Sequence, residues 1–160
     1  MLQSEKAASV GQIPSGLFIV TVYQATNQVT DGYLASWVQQ VSFDPLLISL
    51  AIKPGRPAYD LIKSGSPFAV NIVGDHDKNY LKHFWKGYDP ELNPFKEIPH
   101  FIGENQGLIL EAAKAALECV MVSSTKPGDH EVIFAEVKAS YLMNSEAKPM
   151  VHLRKSGASY

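Results

Sequence analysis

Apolar residues along this chain gather in short blocks at strand spacing, and only two stretches have them at helix spacing. Gly16–Tyr23 packs Phe18, Ile19, Val20, Thr21 and Val22 together, the β-branched and aromatic content of a strand. Thr26-Asn27-Gln28 predicts a turn. Val29–Ser42 then returns as a second strand, which Asp31-Gly32 is expected to bend or bulge. Leu46–Ile52 is almost wholly apolar, as expected of a strand covered on both faces. Phe68–Val73, Leu117–Ser123 and Glu131–Met143 supply further strands, the last two joined by the turn chemistry of Pro127-Gly128-Asp129. Helical spacing occurs over Ala58–Ser64, stopped by Gly65, and over Asp77–Lys86, with Asp75 as a cap and Tyr80, Leu81, Phe84 and Trp85 on one face. Gly87–Gly107, with Pro90, Pro94 and Pro99, predicts a long loop. Without a β-α-β alternation, the pattern predicts a mainly β, antiparallel barrel carrying short helices.

Composition narrows the class. At 160 residues and 46% hydrophobic content the chain suits one ordinary core, with residues 1–12 as a polar tail and 13–160 as a single domain. A net charge of −2 argues against a nucleic-acid surface. The polar start lacks the apolar core of a secretory signal, and no apolar run approaches the roughly 20 residues of a membrane span. The single cysteine, Cys119, cannot form an internal disulfide and reads as a small buried hydrophobe. These features together predict a cytoplasmic protein. Neither G-x-G-x-x-G nor G-x-x-x-x-G-K-[ST] is present, so a nucleotide would need some other cradle. His76 and His83 lack further ligands, and no metal site is expected.

Several polar residues sit where a strand facing a core would not need them. Lys53 and Arg56 flank Pro54-Gly55 after the Leu46–Ile52 strand, the lysine able to meet a phosphate as a point charge and the arginine through paired N–H groups. The ordinary reading is a pair of solvated charges in a surface turn. Ala51, just before them, is small enough for a planar ring to approach the backbone. Asn71 lies in an apolar run and must find partners, either the edge of a polar ligand or the backbone of an adjacent strand. In Leu34-Ala35-Ser36-Trp37, Ser36 either bonds a neighbouring backbone or faces a ligand. His130 reads first as a turn residue, and Phe84 and Trp85 as core.

The stretch from Asp31 to Val73, with Ile13-Pro14-Ser15-Gly16, Gly128-Asp129-His130 and the terminal Arg154–Tyr160, resembles the flavin-reductase-like family of FMN-binding split barrels. It is especially similar to the flavin-reductase module of cyanobacterial flavodiiron proteins. The resemblance implies a six-stranded split barrel, a homodimer with the flavin near the subunit interface, and FMN as cofactor with NADH or NADPH as co-substrate. It implies flavin contacts from Ala35, Ser36, Trp37, Ala51, Lys53, Arg56, Asn71, Phe84 and Arg154, with His130 beside the flavin and nicotinamide. Arg154 and Tyr160 match a terminal pattern that can reach the partner subunit's site. The family's usual Thr-Ala-Ser-Ser is Leu34-Ala35-Ser36-Trp37 here, so two hydroxyls are replaced. The expected activity is hydride transfer from NAD(P)H to flavin, with electrons leaving on the flavin or to a protein acceptor. The alternatives are an FMN-carrying electron-transfer module without efficient nicotinamide oxidation, and a relative that has lost flavin or binds another ligand such as haem.

Overall fold

The computed structural model describes residues 2–85, 91 and 93–159. Among them the chain forms two α-helices, α1 (Leu2–Gly11) and α2 (Pro57–Lys63). The strands are β1 (Ser15–Gly16), β2 (Phe18–Gln24), β3 (Val29–Ala35), β4 (Val38–Ser42), β5 (Leu47–Ile52), β6 (Phe68–Ile72), β7 (His100–Ile102), β8 (Leu108–Leu110), β9 (Ala115–Thr125), β10 (Glu131–Leu142) and β11 (Val151–His152). Seven of them make one antiparallel sheet in the order β3-β2-β6-β9-β10-β5-β4. This is the split-barrel architecture expected, with seven strands in place of six. The extra strand comes from the segment read as one strand over Val29–Ser42. It breaks at Ser36-Trp37, and its halves, β3 and β4, become the two ends of the sheet. Trp37 keeps a tie across the break, its carbonyl accepting from the Ala51 N–H at 3.0 Å.

The bulge expected at Asp31-Gly32 is absent, and β2 and β3 pair in continuous register through Thr21↔Gly32 and Val22↔Asp31. Gly32 serves a different need. A Cβ there would lie 2.8 Å from the Phe95 ring and 2.9 Å from that of Phe84, so only glycine lets the two rings pack onto the strand. The two-sided covering expected of the Leu46–Ile52 strand belongs instead to β2. Val20 and Val22 enter the barrel core with Leu50, Ile62 and Phe68, while Ile19 on the other face joins Leu81, Phe84, Phe95 and Leu110 in a second core. β5 alternates, burying Ile48, Leu50 and Ile52 and leaving Leu47, Ser49 and Ala51 half-covered. On that half-covered face lies the site.

The polar segment read as a tail is α1, fastened by the C-terminal segment through Arg154 N–H to the Gly11 carbonyl and Gly157 N–H to the Ala7 carbonyl. The helix expected over Asp77–Lys86 is shorter, a 3₁₀ turn at Asn79–His83, and Lys86 lies outside the described residues. Asp75 does not cap it. Its carboxylate accepts from the Lys148 N–H at 3.0 Å, while Asp77 accepts from Asn79 N–H at 2.9 Å. The expected long loop includes a 3₁₀ turn at Pro94–Lys96, β7 and the turn before β8, with residues 87–90 and 92 outside the described set. Glu118 organises that turn. Fully buried on β9, it accepts from the N–H groups of Asn105 and Gly107 and from the Tyr141 hydroxyl. Cys119 beside it is buried, and burial pushes its thiol up to about 12, the inert small hydrophobe expected.

Candidate functional site

Where β3 runs into the break, a cavity of about 310 Å³ opens between the ends of β3 and β5. It is at the lower end of the volumes found for small-molecule sites. Tyr33, Leu34, Ala35 and Ser36 form one wall and Ala51, Ile52 and Lys53 another, with Arg56, Phe84, Trp85 and His130 completing it. The sequence brings these groups together for local reasons. Ala35 and Ala51 have little side chain to fill the gap. Arg56 ends the turn whose Gly55 takes φ 93°, a backbone value that favours glycine.

Ser36 is the most telling group. The residue is 6% exposed, and its Oγ has no hydrogen-bond partner among the described residues, although it lines the cavity. A buried hydroxyl left unpaired costs about 1–3 kcal/mol, so a site that keeps one is suited to a polar ligand. With two cations, aromatic and aliphatic walls and this orphan hydroxyl, the lining fits a flat, amphipathic ring system bearing an anionic tail.

His130 lies at the foot of the β9–β10 hairpin, with Nδ1 2.9 Å from Asp129 Oδ1. That hydrogen bond holds the Asp129 carboxyl below the usual carboxylate range and fixes the orientation of the His130 ring. The His130 ring also packs against Trp37, centroids 5.0 Å apart, and the Arg154 guanidinium lies 4.9 Å from the Trp37 ring centroid. Trp37 and Arg154 are not among the residues lining this cavity. Trp37 instead lines a neighbouring, larger hollow of about 510 Å³, which shares Ser36 and Ala51 with the first.

Ala35, Ser36, Ala51, Lys53, Arg56, Phe84 and His130 thus converge on one cavity, and Trp37 and Arg154 stand behind its wall. Asn71 does not join them. It is fully buried, and its Nδ2 donates to Thr21 Oγ1 at 3.1 Å and to the Ile19 and Leu108 carbonyls at 3.2 and 3.4 Å. Its Oδ1 accepts from Leu110 N–H at 2.8 Å. Of the two partners weighed for this amide, the backbone of neighbouring segments, with the Thr21 hydroxyl, is the one present, and Asn71 is not among the residues lining the cavity. Tyr160 lies outside the described residues. Tyr33 and Trp85 are cavity residues that sequence reasoning passed over. Trp85 was read as core, yet it is 62% exposed at the rim, because the 3₁₀ turn ends at His83 and no helix carries it inward.

A mainly β split barrel with this seam site is the framework of a flavin-handling domain, and sequence comparison agrees. The chain matches the flavin reductase like domain over residues 10–159 and belongs to that family. It is 35% identical to putative diflavin flavoprotein A 3 of Nostoc over 95% of its length, and 32% identical to diflavin flavoprotein A 1 of Synechocystis over 99%. The chain spans only about a quarter of those relatives, 26% and 28% of their lengths. Among solved structures, an NADH:FAD oxidoreductase of Streptomyces globisporus, in complex with NAD and FAD fragments, superposes with a TM-score of 0.79 at 22% identity, covering 94% of this chain and 86% of that one. An FMN-binding protein of Thermus thermophilus gives 0.71 at 25% identity, covering 85% and 77%. No helix among the described residues is long and apolar enough to cross a membrane.

Proposed function

We propose that this domain binds FMN in the seam cavity and catalyses its reduction by NADH or NADPH. The observation that carries the reading is the buried Ser36 hydroxyl, without a partner among the described residues, in a cavity that also gathers Lys53 and Arg56. Bound there, a flavin supplies the ring that takes up hydride from a dihydronicotinamide. The chain's own part is to hold and screen. Ala35 and Ala51 leave room for a flat ring, and Ser36 offers it a hydrogen bond. Lys53 and Arg56 pair with the phosphate and place positive charge near the anionic end. His130, tied to Asp129 and packed on Trp37, presents an oriented imidazole to the cavity, suited to positioning a carboxamide or a ring edge rather than to supplying an essential proton. Trp85 at the rim limits water, and the buried Phe84 closes the wall.

A homodimer belongs to this reading. Ile13 and Val151, lining the larger hollow, are 63% and 66% exposed and give a second copy an apolar face beside the site. A second reading, an FMN-carrying electron-transfer module that serves a protein partner, is favoured by Leu34, which lines the cavity without a hydroxyl. The small share of the diflavin flavoproteins that this chain spans favours it too.

Anaerobic titration of FMN-loaded protein with each nicotinamide, followed by absorbance, separates the two. Bleaching of the flavin bands by NADH or NADPH is expected. Flavin that stays oxidised with both, yet is reduced by a protein donor, overturns the reductase reading. In separate titrations of the apoprotein with each flavin, Lys53→Ala and Arg56→Ala weaken FMN roughly tenfold each and riboflavin hardly at all, because only FMN carries the phosphate.

A further inference from the structure

The turn that carries Arg56 has no cap of its own. α2 opens at Pro57 with Arg56 in the N-cap position, extended at φ −89° and ψ 143°, and with no side-chain hydrogen bond to the helix end. An N-cap side chain ordinarily accepts from the first free N–H groups, and a guanidinium has no acceptor to offer. The acceptor comes from elsewhere in the chain. Asp31 on β3 is 4% exposed, and its Oδ2 accepts from Ala58 N–H at 2.6 Å. Two residues further along the strand, and so on the same face, stands Tyr33, with Arg56 Cζ 5.2 Å from its ring centroid. One strand face thus grips the turn twice, its backbone through Asp31 and its guanidinium through Tyr33. Burial raises the Asp31 carboxyl above its ordinary value, while the Ala58 and Gly32 N–H groups and the Arg56 charge pull it back, so this acid sits inside the fold at some cost.

We propose that Asp31 is a positioning residue that, by capping α2 from β3, fixes how Arg56 is presented to the anionic end of the ligand and thereby sets the preference for a phosphorylated flavin over its unphosphorylated form. The proposal rests on the flavin reading above. Its physical content is preorganisation. A free arginine surrenders its rotamer freedom when it engages phosphate, whereas one already set by a capped turn and a ring has less to lose. Lys53, on the other side of Gly55, is not gripped in this way by β3, so the arginine is the group whose aim depends on Asp31.

The test is a pair of titrations, FMN and riboflavin, followed by flavin fluorescence quenching on the intact domain and its variants. Asp31→Ala is expected to lower FMN affinity about tenfold and leave riboflavin within about twofold. Asp31→Asn, whose amide oxygen still accepts from Ala58, retains most of the FMN preference. Asp31→Ala combined with Arg56→Ala binds FMN no more weakly than Arg56→Ala alone, because the aspartate acts through the arginine. Equal losses for both flavins, additive effects in the double variant, or no rescue by asparagine would each overturn the proposal. If Asp31→Ala fails to fold, Asp31→Glu displaces the same acceptor by one methylene. The selective loss is expected there too, and an unchanged FMN-to-riboflavin ratio overturns the proposal. Failure of the underlying reading looks different, since Lys53→Ala and Arg56→Ala would then also leave the two flavins undistinguished.

Discussion

At the scale of single residues, Ser36 and Asn71 use the same currency in opposite ways. Both are buried polar groups on or beside strands, yet Asn71 has its donors and acceptor matched inside the protein, and Ser36 has none matched among the described residues. Ser36→Ala therefore removes an unpaired hydroxyl and should leave the melting temperature unchanged or slightly raised, measured without ligand by calorimetry. The same change should weaken flavin binding by about 1 kcal/mol, roughly fivefold in Kd by titration. A fall in stability with unaltered binding would mark the hydroxyl as structural. Sequence reasoning reached most of the cavity through the family resemblance, since the residue names alone left Lys53 and Arg56 as surface charges, His130 as a turn residue and Phe84 as core. Lys53 and Arg56 flank a Pro-Gly turn, and Ala35 and Ala51 are small wherever they sit. It misassigned Asn71 because a buried amide must have partners, and composition does not say whether they belong to a ligand or to Leu110 and Thr21, which are distant along the chain.

At the scale of elements, α2 and β10, which Arg56 and His130 immediately precede, are held together by a partly buried ion pair. Glu131, immediately after His130, accepts from Lys63 Nζ and from the Tyr59 hydroxyl, each at 2.5 Å. Its side chain is 8% exposed and that of Lys63 35%, so the pair is only partly open to screening. Hydrogen bonds from Lys63, Ser124 and Tyr59 lower the Glu131 carboxyl from 4.5 to about 2. A carboxyl depressed in the folded state stabilises the fold fully above its unfolded value. That stabilisation fades as pH falls from about 4.5 towards 2. Glu131→Gln should cost about 1–2 kcal/mol at neutral pH by urea unfolding and flatten the loss of stability across that acid window. A variant with the wild-type acid profile would show that other carboxyls govern it. The longer strands of the seven-stranded sheet were legible from their β-branched blocks. The break at Ser36-Trp37 was not, because it contains neither glycine nor proline, and tertiary pairing of Trp37 with Ala51 makes it. The short 3₁₀ turn at Asn79–His83 was read as a full helix because its apolar spacing suits either.

At the scale of the whole molecule, apolar side chains remain outside. Phe43 is 90% exposed, and Ile13, Val151 and Leu153 are 63%, 66% and 59% exposed. Ile13 and Val151 both line the larger hollow, and apolar side chains exposed side by side there mark a contact surface more often than an idle one. The homodimer proposed here predicts twice the chain mass in sedimentation equilibrium at micromolar concentration. Val151→Glu is expected to shift that equilibrium towards monomer, and a wild-type chain that sediments as a monomer would refute it. This level was not readable from the residue pattern, since exposure depends on which strand faces the fold supplies.

The tie between Trp37 and Ala51 has one more effect, and it concerns width. Ala35 is two residues from Trp37, a reach of at most about 7 Å along extended chain, and the Trp37 carbonyl is held 3.0 Å from the Ala51 nitrogen. The two alanine walls of the slot are thereby kept from drifting apart by covalent reach and one hydrogen bond. The spacing of those walls therefore has an upper limit set by backbone geometry rather than by the side chains that line the cavity.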